Sequence, residues 1–143
     1  MRVLIDKKGN VMPYVVFLIS LIIMPLMIMT MELTRAMYVD IHLQAATDAA
    51  CSAASQAANV PYFIQTGELT IDISAGRTYA YREFDATISD HSLRKYFPVL
   101  TSVNLVSDTI VACESTAQMQ WMLPGIPSLT LNSSALAETQ ARR

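Results

Sequence analysis

No charged side chain occurs between Lys8 and Glu32, and Val11 to Met31 is a 21-residue apolar run broken only by Ser20, Thr30, Pro13 and Pro25. As a helix it rises about 32 Å, close to the roughly 30 Å hydrocarbon thickness of a bilayer. A helix apolar on every side must be buried in a large core or in lipid. The rest of a 143-residue chain is too small for the first, so the run predicts a membrane span. Pro13 sits where a missing N–H costs little. Pro25 lies inside and predicts a kink that the flexible Met24, Met27, Met29 and Met31 can fill around. Ser20 and Thr30 are expected to bond back to helix carbonyls.

From Glu32 to Ala58 no Gly or Pro interrupts, and Pro61 stops the pattern soon after Asn59. The helix is therefore expected to continue from about Pro13 to Ala58. In this outer half Arg35, Asp40, Gln44, Asp48 and Gln56 interleave with Leu33, Met37, Ile41, Ala45, Ala49 and Ala53. The apolar set recurs every four residues, one face of a 3.6-period helix. Met37, Ile41, Ala45, Ala49 and Ala53 form the candidate assembly face. Toward the end it is small enough for a sheet or a neighbouring helix to approach closely.

Beyond Tyr62 the period changes. Glu68 to Ser74 alternates polar and apolar and predicts a strand, Ser74-Ala75-Gly76-Arg77 a turn, and Thr78 to Ile88 a second, less regular strand. Residues 89–101 predict a short helical or irregular stretch before Pro98. Val103 to Val106 and Thr109 to Met122 read as extended. There Val111, Cys113, Ala117, Met119 and Trp121 share one face, and Glu114, Thr116, Gln118 and Gln120 the other. Leu123-Pro124-Gly125 predicts a turn, and Ser128 to Glu138 a strand with Leu129, Leu131, Ala135 and Ala137 inward. The expected fold is α+β: one long helix, spanning a membrane in its first half, with an antiparallel sheet of four or five strands on its outer half. Residues 1–10 would be a basic leader, 11–31 the span, 32–59 the outer helix and 60–143 a β-rich domain.

Charge orients this plan. Residues 1–8 carry a net +2 and residues 32–143 a net −4, so the positive-inside rule puts the N-terminus in the cytoplasm and the remainder outside. The run exceeds an ordinary signal-peptide core, and no small-x-small site follows before Glu32 and Arg35, which favours an uncleaved anchor. Charged residues make up 15% of the chain against about 25% in average domains. With a net charge of −2, a generally basic nucleic-acid binder is excluded.

Chemistry adds little. Cys51 on the helix and Cys113 on the apolar strand face are both expected at the helix–sheet seam, and an oxidising outer compartment favours a disulfide between them over two buried thiols. His42 and His91 have no partner at metal-ligand spacing, and no serine sits in a nucleophile elbow. Asp72-Ile73-Ser74-Ala75-Gly76 is similar to the ion motif of von Willebrand A domains, but Gly76 replaces its third ligand, so a hairpin turn is the reading here. No catalytic residue, cofactor, metal or small-molecule substrate is expected.

Lys8-Gly9-Asn10, the uncharged helix and then Leu43-Gln44-Ala45-Ala46-Thr47-Asp48-Ala49-Ala50 stand in sequence. Near the end come Trp121-Met122-Leu123-Pro124-Gly125-Ile126-Pro127-Ser128-Leu129-Thr130-Leu131 and Ser134-Ala135-Leu136-Ala137. This order resembles the TadE/TadG-like family of tight-adherence (Flp) pilus assembly proteins. The resemblance covers the first 58 and last 35 or so residues. It implies a pilin-like, single-pass structural subunit of a type IV-related pilus or secretion machine, in the inner membrane of a bacterium. Its partners would be the lipid bilayer and other pilin-like subunits, in a hetero-oligomer. Pilin-type precursors are cut after a membrane-boundary Gly, with a Glu five residues later. Gly9, followed by Asn10, fits the cleavage position. The fifth residue after Gly9 is Tyr14, which favours the membrane-retained, TadG-like end of the family, in a short form without a von Willebrand A domain. The competing expectation is a membrane-tethered binding or sensor module unrelated to pili.

Overall fold

The computed structural model describes residues 11–122 and 125–139. The basic leader, with Gly9 and Asn10, and the first two residues of the expected Leu123-Pro124-Gly125 turn lie outside the described residues. Helix α1 spans Val11–Ser55 and ends three residues before the expected Ala58. The chain divides into two compact units, residues 1–35 and 36–143.

In the first unit, α1 is long and apolar enough to cross a membrane by length and composition, and its most apolar 18-residue window has no buried residue. Pro25 lies inside the helix. Ser20 Oγ donates to the Phe17 carbonyl at 2.9 Å and Thr30 Oγ1 to the Met27 carbonyl at 2.8 Å, so both polar side chains are satisfied within the helix as expected. The first charges after the run, Glu32 and Arg35, form an i,i+3 ion pair in which the Glu32 carboxylate is buried.

The second unit is a helix–sheet sandwich. Helix α2 (Val60–Thr66) is a short connector with no buried residue, capped by Asn59 and closed by Gly67 in the left-handed region. Helix α3 (Ile73–Asp90) follows, then a 3-10 turn at Leu93–Tyr96. Strands β1 (Val99–Ser107), β2 (Ile110–Met119) and β3 (Leu129–Glu138) form one antiparallel sheet in the order β1-β2-β3. The fold is α+β with a single long apolar helix, as expected, but the sheet has three strands rather than four or five.

Of the two missing strands, α3 replaces one and the other is reduced to a single bridge. Thr78 to Ile88 is helix, and Glu68 to Ser74 contributes only an isolated bridge from Ile71 to Ala58. Asp72 is the reason. Its carboxylate accepts from the Ser74 and Ala75 amides and the Ser74 hydroxyl, an N-cap that starts a helix where a hairpin turn was expected. These bonds hold the Asp72 carboxyl below its ordinary value of 3.8. Gly76, Ala80, Phe84 and Ile88 then form the buried stripe of α3 at a strict four-residue spacing. Residues 60–143 are therefore mixed, not simply β-rich.

The core is one cluster drawn from every layer. It includes Val39, Leu43, Ala46, Ala50 and Ala54 of α1, Ala80, Phe84 and Ile88 of α3, Leu100 and Val103 of β1, and Val111, Cys113, Ala117 and Met119 of β2. Helix α3 lies beside α1 and antiparallel to it. Its start meets the end of α1 at Gly76 and Ala54, while His91, just past its end, meets Tyr38 and His42. A Cβ on Gly76 would stand 3.1 Å from the Ala54 carbonyl oxygen, so glycine sets this close approach. The 3-10 turn is flanked by Ser92 and Phe97, both in the left-handed region.

Candidate functional site: the helix–sheet seam and the uncovered helix face

Along α1 from Ala36 to Ser55, two stripes run side by side. One turns inward: Ala36, Val39, Leu43, Ala46, Ala50 and Ala54 are buried at spacings of three and four. Thr47 joins them, and its hydroxyl satisfies two needs at once. It donates back to the Leu43 carbonyl and shares a 2.6 Å hydrogen bond with Ser115 Oγ on β2. A buried hydroxyl pair closed on itself avoids the cost of an unpaired polar group.

The other stripe is the sequence-predicted assembly face, and the sheet of its own chain does not cover it. Met37 and Ile41 are 59% and 64% exposed. Ala45 is exposed, while Ala49 and Ala53 are half-buried. Period alone could not say which of two parallel stripes the core would take. Side-chain size does not separate them: the inward stripe holds Val39 and Leu43 among its alanines, and the other holds Ala45, Ala49 and Ala53 beside Met37 and Ile41.

The two cysteines do meet at the seam, but as free thiols rather than the expected disulfide. Both are buried. Cys51 Sγ donates to the Val111 carbonyl at 3.2 Å and lies within hydrogen-bonding reach of the Cys113 thiol. Burial pushes the Cys113 thiol well up, and the neighbouring Cys51 adds to the rise. Nucleophilic chemistry needs the thiolate, so this pair packs as small apolar side chains with weak donors.

On the flank toward α3, the His42 ring is stacked on His91 with centroids 4.1 Å apart, and Tyr38 meets His42 edge-on at 4.3 Å. Tyr38 Oη donates to the His91 carbonyl at 3.3 Å. The two histidines, far apart in sequence, thus close the α1–α3 contact. Among the described residues, no group of three or more His, Cys, Asp or Glu converges as a metal site would require. A polar hollow of about 300 Å³ on the sheet is lined by Thr101, Glu114, Thr116, Asn132 and Ser134 along with Ser115 and Ser133.

Compared with known protein families, curated proteins and solved structures, the chain matches none.

Proposed function

We propose that this chain is a single-pass, membrane-anchored structural subunit, minor-pilin-like, of a Tad/Flp type IV-related pilus assembly or secretion system. It acts by packing against other subunits. The observation that carries the reading is the exposure along α1. From Pro13 to Met31 the apolar run holds no buried residue, and the exposed apolar side chains of Met37 and Ile41 follow past the first charges. Lipid covers the run, and neighbouring helices cover Met37 and Ile41. The short basic leader supports an N-terminus in the cytoplasm, with residues 36–143 outside.

Copurification from native membranes in mild detergent tests the assembly role. The chain is expected to resist extraction by alkaline carbonate and to elute with other pilus-assembly subunits. Recovery of the chain always alone would overturn the assembly role. Mass spectrometry of the mature N-terminus sharpens it, since an intact Met1 marks a retained anchor and cleavage after Gly9 a processed filament subunit.

A further inference from the structure

The second unit has two ends, and the directions of its elements say what stands at each. The chain enters it at Ala36, five residues past Met31, the last residue of the apolar run. Helix α3 runs antiparallel to α1, so its end, where the His91 ring stacks on His42, lies toward Ala36. The turn that follows, from Ser92 to Phe97, stands at this same entry end. Ser133 Oγ donates to Gln44 Oε1, Gln44 Nε2 to the Ser134 carbonyl and Thr139 Oγ1 to the Ser55 carbonyl, so β3 runs in the direction of α1. Ala36 lies eight helical residues before Gln44, about 12 Å. Leu129, the first residue of β3, lies five strand residues before Ser134, about 17 Å. The β2–β3 connection therefore reaches at least as far as Ala36.

Both tips at the entry end turn apolar side chains outward. Phe97 holds φ 49° and ψ 51°, a left-handed conformation that a bulky side chain rarely adopts. Its ring is 72% exposed, so the strain wins it no cover from its own chain. In the β2–β3 connection Met122 is 69% and Ile126 46% exposed, while Trp121 packs against the core and roots the segment. No charge occurs between Lys95 and Asp108 or between Glu114 and Glu138. Arg94 is turned back to Asp85 at 3.6 Å. Lys95, its Nζ 5.0 Å from the centre of the Tyr96 ring, is the cation beside Phe97. Aromatic side chains with a lysine next to them suit a membrane–water boundary, where rings and alkyl stems lie in the acyl region and the charge reaches the headgroups.

Exposure alone does not choose the entry end. The opposite end carries α2, in which Phe63 is 48% and Ile64 77% exposed. It also carries the carboxylates of Asp72, Asp108 and Glu138, placed there by the bonds of Ile71 to Asp108 and Asp72 to Ala57 and by the pairing of Glu138 with Ile110. What separates the ends is the tether. Five residues of chain span at most about 18 Å, so the entry end stays close to whatever surrounds the apolar run. Helix α2 begins past Ser55, a further 19 helical residues along α1, about 28 Å.

We propose that the entry end of residues 36–143 makes a second membrane contact, in which Phe97, Met122 and Ile126 insert into the interface of the bilayer that α1 crosses and Lys95 lies among the lipid phosphates. Apolar side chains buried to the headgroup–acyl boundary bind a membrane without spanning it. The contact would hold the helix–sheet unit against the lipid surface at points beyond its single helical tether. The inference rests on the membrane span proposed above and not on the assembly role.

Trp121 is the single tryptophan of the chain and reports the contact without a substitution. The full-length chain is reconstituted in phosphatidylcholine vesicles, with and without bromine on the acyl chains close to the headgroups. Bromolipid is expected to quench Trp121 fluorescence at least twofold. A Trp121→Phe, Ile64→Trp chain, reporting from the opposite end, should lose less than a tenth of its signal. Met122→Asp together with Ile126→Asp, both at exposed positions, should at least halve the quenching of Trp121. A Trp121→Phe, Phe17→Trp chain reports on the span itself. If that reporter is quenched and Trp121 is not, the anchor stands and the proposal is overturned; if neither is quenched, span and proposal fall together. Quenching at Ile64→Trp equal to that at Trp121, or quenching of Trp121 unchanged by the paired aspartates, also overturns it.

Discussion

The two stretches of α1 make the same helix under opposite rules. Before Glu32 the side chains are large and apolar on every side, and all those described are exposed except the half-buried Ile28. After Arg35 the helix has sides: Val39, Leu43, Ala46 and Ala50 turned into the core, Met37 and Ile41 turned away, and Tyr38 and His42 turned to α3. Helical hydrogen bonding is common to both, so it cannot be what distinguishes them. The difference lies in what surrounds the side chains. A uniform surround selects for no face, and a one-sided partner selects for one.

The largest effect expected to separate the stretches is a charge. Ile19→Arg places it near the middle of the apolar run, at a cost of about 2.5–3.5 kcal/mol for insertion. Carbonate extraction should then release a substantial fraction of the chain, while Ile41→Arg leaves membrane retention as in wild type. Truncation sharpens the contrast within the second stretch. Leu43 is fully buried and Ile41 is 64% exposed. Leu43→Ala should lower unfolding stability by about 2–5 kcal/mol, and Ile41→Ala by no more than about 0.5 kcal/mol, read by chemical denaturation in detergent. Overfilling comes next. Gly76→Ala presses a methyl group against the Ala54 carbonyl and should cost about 1–3 kcal/mol, with loss of the Tyr38–His91 contact visible by NMR.

Titration gives smaller effects of opposite sign. The Cys113 thiol is raised in the folded chain, so its contribution is complete below the ordinary thiol value of 9.0 and is lost as pH rises beyond it. Denaturation midpoints should fall above that pH, and Cys113→Ala should flatten the fall. Iodoacetamide should label neither cysteine until the chain unfolds. The Asp72 carboxyl is lowered in the folded chain. Its stabilisation is therefore present above the ordinary carboxyl range and disappears as pH falls through the folded value. Asp72→Ala should lower the thermal midpoint slightly at neutral pH and by less in strong acid, whereas Asp72→Asn, still a capable cap, should change it less.

What the sequence made legible follows the same division. The apolar run, the β2 face of Val111, Cys113, Ala117 and Met119, and the β2–β3 hairpin were readable because each has one period and one partner. Helix α3 was not. Its aromatic and β-branched Thr78, Tyr79, Tyr81, Thr87 and Ile88 favour strand locally, yet Asp72 caps a helix and Gly76, Ala80, Phe84 and Ile88 repeat every four residues. Tertiary packing against α1 overrides the local preference. The seam was readable in outline, since Cys51 and Cys113 do meet, but their free thiols reflect a contact whose chemistry no spacing encodes.

A nitroxide scan along α1 tests the central claim most directly. Single labels at successive positions from Val15 to Ala54, in a Cys51→Ala, Cys113→Ala background and reconstituted in lipid vesicles, report collision with oxygen in the bilayer and with a water-soluble nickel chelate outside it. From Val15 to Met29, oxygen access should be high at every position, with no helical period. From Ala36 to Ala54, both reagents should fall together every three to four residues, with minima at Val39, Leu43, Ala46, Ala50 and Ala54. A 3.6-residue period with nickel access in the first stretch would make it an ordinary amphipathic helix in water and contradict the account.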